Sequence, residues 1–103
     1  MKTYHGHRRH NGNQVLVGRK KLDPRFDLRN HSPTGFEWGY CGSGPAQLAL
    51  AILADFLGDD ETAQRLYQQF KNHVLAGIKA NDWTLTTEDL RRWLRTTAVP
   101  QRN

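Results

Sequence analysis

The densest apolar stretch of the chain lies between Leu48 and Leu57. There Leu48, Ala49, Leu50, Ala51, Ile52, Leu53, Ala54, Phe56 and Leu57 leave almost no polar face. A helix that is apolar all round is covered on several sides, so this segment predicts a central buried rod. Its expected start is Pro45, because proline suits the first helical position, with Ser43 or Gly44 as cap. Its expected end is Leu57, with Gly58 as a left-handed stop. At ~1.5–3 kcal/mol per fully buried large side chain, this rod is the main stabilising element.

Downstream, Ala63, Leu66, Tyr67, Phe70, Val74 and Ile78 recur with a 3.6-residue period and predict a second helix with one apolar stripe. Asp59, Asp60 and Glu61 place negative charge where its dipole favours it. Trp83-Thr84-Leu85 reads as a short extended piece after the Asn81-Asp82 turn. Thr86 should cap a third helix, with Asp89 completing a capping box and Leu85 and Leu90 at the staple positions. Leu90, Trp93 and Leu94 form its apolar face, and from Thr96 the chain reads as a frayed tail.

Upstream the period changes to two. Tyr4 to His10 and Gln14 to Lys20 flank Asn11-Gly12-Asn13, a hairpin signal, and Val15 and Val17 alternate with polar neighbours. A third extended piece through Lys21-Leu22 is broken by Asp23-Pro24, and Phe26 and Leu28 are expected to pin this connection to the core. The predicted fold is α+β, a small antiparallel N-terminal β-hairpin or sheet packed on three helices, one of them central and buried. With 103 residues the chain suits a single domain over 1–103. Its parts are a basic β region at 1–34, a glycine-aromatic loop at 35–44, a helical region at 45–95 and a tail at 96–103.

No apolar run reaches the ~18 residues that a membrane-spanning helix needs. The start, Met1-Lys2-Thr3-Tyr4-His5, has no apolar leader core, and one cysteine allows no internal disulfide, so the expected location is the cytoplasm. The net charge of +5 is unevenly spread. Residues 1–34 hold eight of the 15 Lys and Arg against only Asp23 and Asp27, whereas the rest of the chain is close to neutral. Such a field favours a polyanion or an acidic protein surface; a solvated sheet face is the plain alternative. Arg8, Arg9, Arg19, Lys20 and Lys21 would form a basic patch on the two arms of the hairpin, a candidate nucleic-acid contact.

The string Gly35-Phe36-Glu37-Trp38-Gly39-Tyr40-Cys41-Gly42-Ser43-Gly44-Pro45-Ala46 is the main candidate for chemistry. Glycines let a ligand approach the backbone, and the first turn of the following helix offers N–H donors and a positive dipole end. Ser43, Gly44 and the amides of Ala46 and Gln47 are candidates to cradle a phosphate or carboxylate; the alternative is a capped helix turning a tight corner. Phe36, Trp38 and Tyr40 would share one face of an extended segment and could stack a base, with Glu37 accepting from an exocyclic amine. Trp38 or Tyr40 is expected to be partly exposed, and the other rings to cover the central helix. His31, Thr34, Glu37, Trp38, Tyr40, Ser43, Gly44 and Gln47 make up the candidate ligand set.

No cofactor, metal or catalytic residue is assigned. His5, His7 and His10 offer half a metal site with nothing to complete it. Cys41 before a helix, with His31 as base, would suit a cysteine hydrolase, but the chain is short and no residue orients the histidine. The leading expectation is a non-enzymatic binding protein for a nucleotide, another phosphorylated ligand or an acidic partner surface. The alternatives are a nucleic-acid binder using the hairpin and, less favoured, the hydrolase.

The stretch from His31 to Tyr40 and from Gly42 to Leu50, with Ala54-Asp55, Gly58-Asp59-Asp60, Leu66-Tyr67, Phe70-Lys71 and Trp83 to Thr86, resembles an uncharacterised family of small proteins. Its members are encoded by bacteria, phages and plasmids. The resemblance covers most of the chain and implies an accessory role, such as countering host defence, with a host protein as partner. In that family glycine is usual where Cys41 stands, which argues against a catalytic role for the thiol.

Overall fold

In the computed structural model, which describes residues 2–97, the chain runs through three strands, two helices, a fourth strand and a last helix. The strands are β1 (Thr3–His7), β2 (Gln14–Val17), β3 (Lys20–Lys21) and β4 (Asp82–Thr86), and the helices α1 (Ser43–Leu57), α2 (Asp60–His73) and α3 (Thr87–Thr97). A 3-10 turn, Leu75–Gly77, follows α2. All strand pairs are antiparallel, in the order β3-β2-β1-β4.

Period-two patterning builds the sheet. Tyr4 and Gly6 of β1 stand opposite Val17 and Val15 of β2 and opposite Leu85 and Trp83 of β4. Directly opposed residues share a face, so these six form the side that meets the core. Thr3, His5 and His7 look the other way, where His5 Nδ1 lies 3.1 Å from Thr84 Oγ1 and His7 Nδ1 lies 2.8 Å from Asp82 Oδ1. The expected α+β fold is therefore present. The Trp83-to-Leu85 segment is the middle of β4 and joins the sheet beside β1, so the stretch 45–95 is not wholly helical.

Helix α1 is the buried rod: Leu48, Leu50, Ile52 and Leu53 are fully covered. The buried Tyr4 hydroxyl donates to Asp55 Oδ2 at 2.7 Å and ties the sheet to α1, and α2 packs on α1. The helix begins earlier than expected. Gly42 is the N-cap, without a side-chain cap bond, so Ser43 lies within the first turn instead of capping it and Pro45 is the third helical residue. The end is as expected, with Gly58 at φ 65° and its N–H on the Ala54 carbonyl at 3.1 Å.

Asp59 caps α2 by accepting from Thr62 N–H. That helix ends at His73, so Val74 and Ile78 pack on the core from outside it. The capping box of α3 is reciprocal: Thr86 N–H donates to Asp89 at 2.9 Å and Asp89 N–H to Thr86 Oγ1 at 3.1 Å. Thr96 and Thr97 belong to α3, not to a tail, and residues 98–103 of the expected tail lie outside the described residues.

One expected anchor is wrong. Leu28 packs on the core, but Phe26 is 41% exposed. An ion cluster pins this connection in its place: the Arg25 guanidinium bonds both oxygens of Asp27 and both oxygens of Asp60, at 2.8 to 3.1 Å. Arg25 itself has φ 58°, a conformation uncommon outside glycine.

Candidate functional site

The glycine-aromatic loop lies between the sheet and the start of α1. Its rings do not share a face, because Gly39 at φ 90° breaks the extended alternation that would align them. Trp38 is 1% exposed, Phe36 is half-buried and Tyr40 is 51% exposed. Trp38 is thus a core residue. Its indole N–H donates to the Ala80 carbonyl at 2.9 Å, and it meets Trp83 edge to face at 5.4 Å between centroids.

Arg8 roofs that tryptophan. Its guanidinium carbon lies 4.5 Å from the ring centre, while Nη1 donates to Glu37 Oε1 at 2.6 Å. Burial alone would raise the Glu37 pKa; hydrogen bonds from Arg8 and Asn13 and the Arg8 charge outweigh it and lower the value. Glu37 is therefore a paired carboxylate. Asn13 adds a second bridge between the β1–β2 loop and the glycine-aromatic loop, donating to the Phe36 carbonyl at 3.0 Å.

These two loops form the banks of a cleft of about 480 Å³. Arg8, Arg9, His10 and Asn13 line one bank, and Thr34, Phe36, Glu37, Tyr40, Ser43 and Gly44 line the other. Gly44 is needed there for close approach: a Cβ at this position would sit 2.5 Å from Glu37 Cβ. At the helix start the Ala46 N–H is already taken by the Gly42 carbonyl at 3.0 Å, and Pro45 has none to give. The first-turn donors that remain are those of Ser43 and Gly44.

Five of the eight candidate ligand residues thus line one cleft: Thr34, Glu37, Tyr40, Ser43 and Gly44. Three do not. Trp38 is in the core. Gln47 is completely buried and both ends of its amide are bonded. Oε1 accepts from the amides of His31 at 2.7 Å and Ser32 at 3.2 Å, and Nε2 donates to the carbonyls of Pro24 at 2.6 Å and Arg29 at 3.0 Å. It staples the 24–32 connection to α1 and has no valence left for a ligand. The His31 ring pairs with the Tyr67 hydroxyl, Nε2 to Oη 2.7 Å, and burial together with the charges of Arg29 and Lys71 lowers its pKa.

The five hairpin cations do not make one patch. Arg8 and Arg9 follow β1, whereas Arg19 and Lys20 lie at the β2–β3 turn, at the opposite end of β2. Lys21 shares a second hollow, of about 570 Å³, with Arg9. His10 and Asn13 are cleft residues that the sequence marked only as half of a metal site and as a turn. A six-residue loop long enough to fold over the next segment is the signal that points to them.

Cys41 is exposed, and among the described residues no hydrogen bond joins it to a histidine. Among the described residues no group of three His, Cys, Asp or Glu is placed to hold a metal ion. Among the same residues no helix is long and apolar enough to cross a membrane.

A model of the family described as "Family of unknown function (DUF6166)" matches residues 4–96. No curated protein and no solved structure matches the chain.

Proposed function

The chain belongs to the DUF6166 family, whose function is unknown, and for it we propose a non-enzymatic binding role in which the cleft takes a phosphorylated ligand such as a nucleotide. One observation carries this reading. Arg9 and His10 line the same cleft as the start of α1 and the exposed Tyr40 ring, while the cleft's one acid, Glu37, is neutralised by Arg8. The Arg9 charge, the His10 ring N–H and the Ser43 and Gly44 amides suit a phosphate, and the phenol ring suits a flat group beside it. The same lining would also suit an acidic surface of a host protein. The resemblance to phage- and plasmid-encoded proteins supports an accessory role in the cytoplasm, countering host defence.

Thermal unfolding against a panel of nucleotides and inorganic phosphates tests the reading. A ligand at 100 times its Kd should stabilise by ~2.7 kcal/mol, a rise in Tm of roughly 10 °C for a domain of this size. The paired substitutions Arg9→Ala and His10→Ala should abolish the shift. No response to any phosphorylated compound would refute it.

A further inference from the structure

Arg9 lines three hollows. One is the cleft just described. A second, of about 700 Å³, is formed by Arg8, Arg9, His10 and Asn11. The third, of about 570 Å³, runs on past Asn11, Gln14 and Phe36 to Lys21. Neighbouring hollows share lining residues, and Arg9 is the only side chain common to all three, so they form a run around the β1–β2 loop.

The cleft and the hollow that reaches Lys21 each have the capacity of a small-molecule site, ~300–1,000 Å³, and the hollow at Arg8 to Asn11 is an open surface depression joined to both. One nucleotide would fill one of these two and leave the other empty. The run as a whole fits an extended anion. Its cations are distributed in the same way, with Lys21 at one end and Arg9 in the middle, and the His10 ring adds a hydrogen-bond donor beside the cleft. Among the described residues, none of these three is in an ion pair with a carboxylate. Phe36 stands where two hollows meet, and Tyr40 lies at the far end with its ring against Gly42. A cationic track that carries aromatic platforms is the arrangement that holds unpaired bases. An acidic peptide would use the cations and leave the rings without a flat partner; a duplex would keep its bases stacked away from them.

We propose that the ligand is single-stranded nucleic acid, with phosphates at Lys21, Arg9 and His10 and bases on Tyr40 and Phe36. The proposal rests on the anion-binding reading and names its ligand class.

Fluorescence anisotropy with end-labelled oligothymidylates of one, three, six and twelve nucleotides tests it. Affinity should rise at least tenfold from one nucleotide to six. With two phosphates neutralised, by Lys21 and Arg9, the slope of log K against log salt should lie near −1.4, at about −0.7 per contact on a single strand. Between 50 and 200 mM salt that slope is a loss of roughly 7-fold. Tyr40→Ala, at an exposed position, should weaken the hexamer at least about fivefold at both salts and leave the slope unchanged. Arg9→Gln should make the slope shallower by about 0.7. A mononucleotide bound as tightly as the hexamer would overturn the proposal and leave the anion-binding reading standing. Failure of every phosphorylated probe would overturn both. Displacement of the hexamer by poly-glutamate at equal charge, with Tyr40→Ala indistinguishable from the unmodified protein, would overturn it in favour of an acidic peptide.

Discussion

Replacing Gln47 by leucine isolates the staple between α1 and the 24–32 connection. The side chain has similar volume and no polar end, so four backbone groups lose their partners: the amides of His31 and Ser32 and the carbonyls of Pro24 and Arg29. At a net ~1 kcal/mol for each hydrogen bond, the cost is about 4 kcal/mol. The apolar side chain offsets little, because it is confronted by those unpaired groups. A domain of this size has roughly 5–15 kcal/mol of stability, so the variant keeps its fold with a much reduced margin. Urea titration followed by far-UV circular dichroism should show the midpoint falling by more than about 1 M with the slope unchanged. Gln47→Glu sharpens the test. Its carboxylate still accepts from the two amides but sets charge against two carbonyls, which raises its folded pKa. A raised folded value gives stability that is complete below the unfolded pKa of ~4.3 and is lost as pH rises through the folded one. This variant should therefore gain stability on going from pH 7 to pH 5. A loss below about 1 kcal/mol for Gln47→Leu, or a pH-independent Gln47→Glu, would refute the staple.

Gly44→Ala should cost about 1–3 kcal/mol in the same titration, because its new methyl would sit 2.5 Å from Glu37 Cβ and must push the loop off the helix start. His31 has a folded pKa below its ordinary ~6.5, so its contribution is complete above that value and is lost as pH falls through the lower folded one. Tm measured from pH 7.5 to 5 should accordingly fall less steeply in His31→Gln. Arg8→Ala should cost about 1–2 kcal/mol, from a partly exposed ion pair and a cation–π contact, and red-shift the tryptophan emission. It should also weaken phosphate binding by freeing the Glu37 charge, and adding Glu37→Gln should restore the binding but not the stability.

The helices were legible because their signals are local. The apolar run of α1, the Gly58 stop and the Thr86–Asp89 box each lie within a few residues of the feature they specify. The pairing of β4 with β1 was not legible, since Gly6 and Trp83 are far apart in sequence and alternation says nothing about partners. The site divides along the same line. Tyr40, Ser43 and Gly44 follow from a glycine string ahead of a helix. Gln47 misled because a polar residue in an apolar helix reads equally as a ligand contact or as a staple; only the loop folded back over it decides. The basic patch failed for a topological reason: consecutive antiparallel strands carry their turns at opposite ends.

Two adjacent arginines show how one strand assigns structural and functional work. The Arg8 N–H still bonds the Asn81 carbonyl at 2.9 Å, so the β1 pairing continues one residue past the strand. Arg8 therefore keeps the parity of Tyr4 and Gly6 and turns toward the core, where it covers Trp38 and pairs with Glu37. Arg9 has the opposite parity and faces the solvent hollows. The first arginine cancels the only acid of the cleft, so the second acts there with its full charge. Insertion of a residue between Gly6 and His7 would bring His7 into the core-facing position and turn Arg8 to the solvent side, stranding the Glu37 carboxylate beside the ligand.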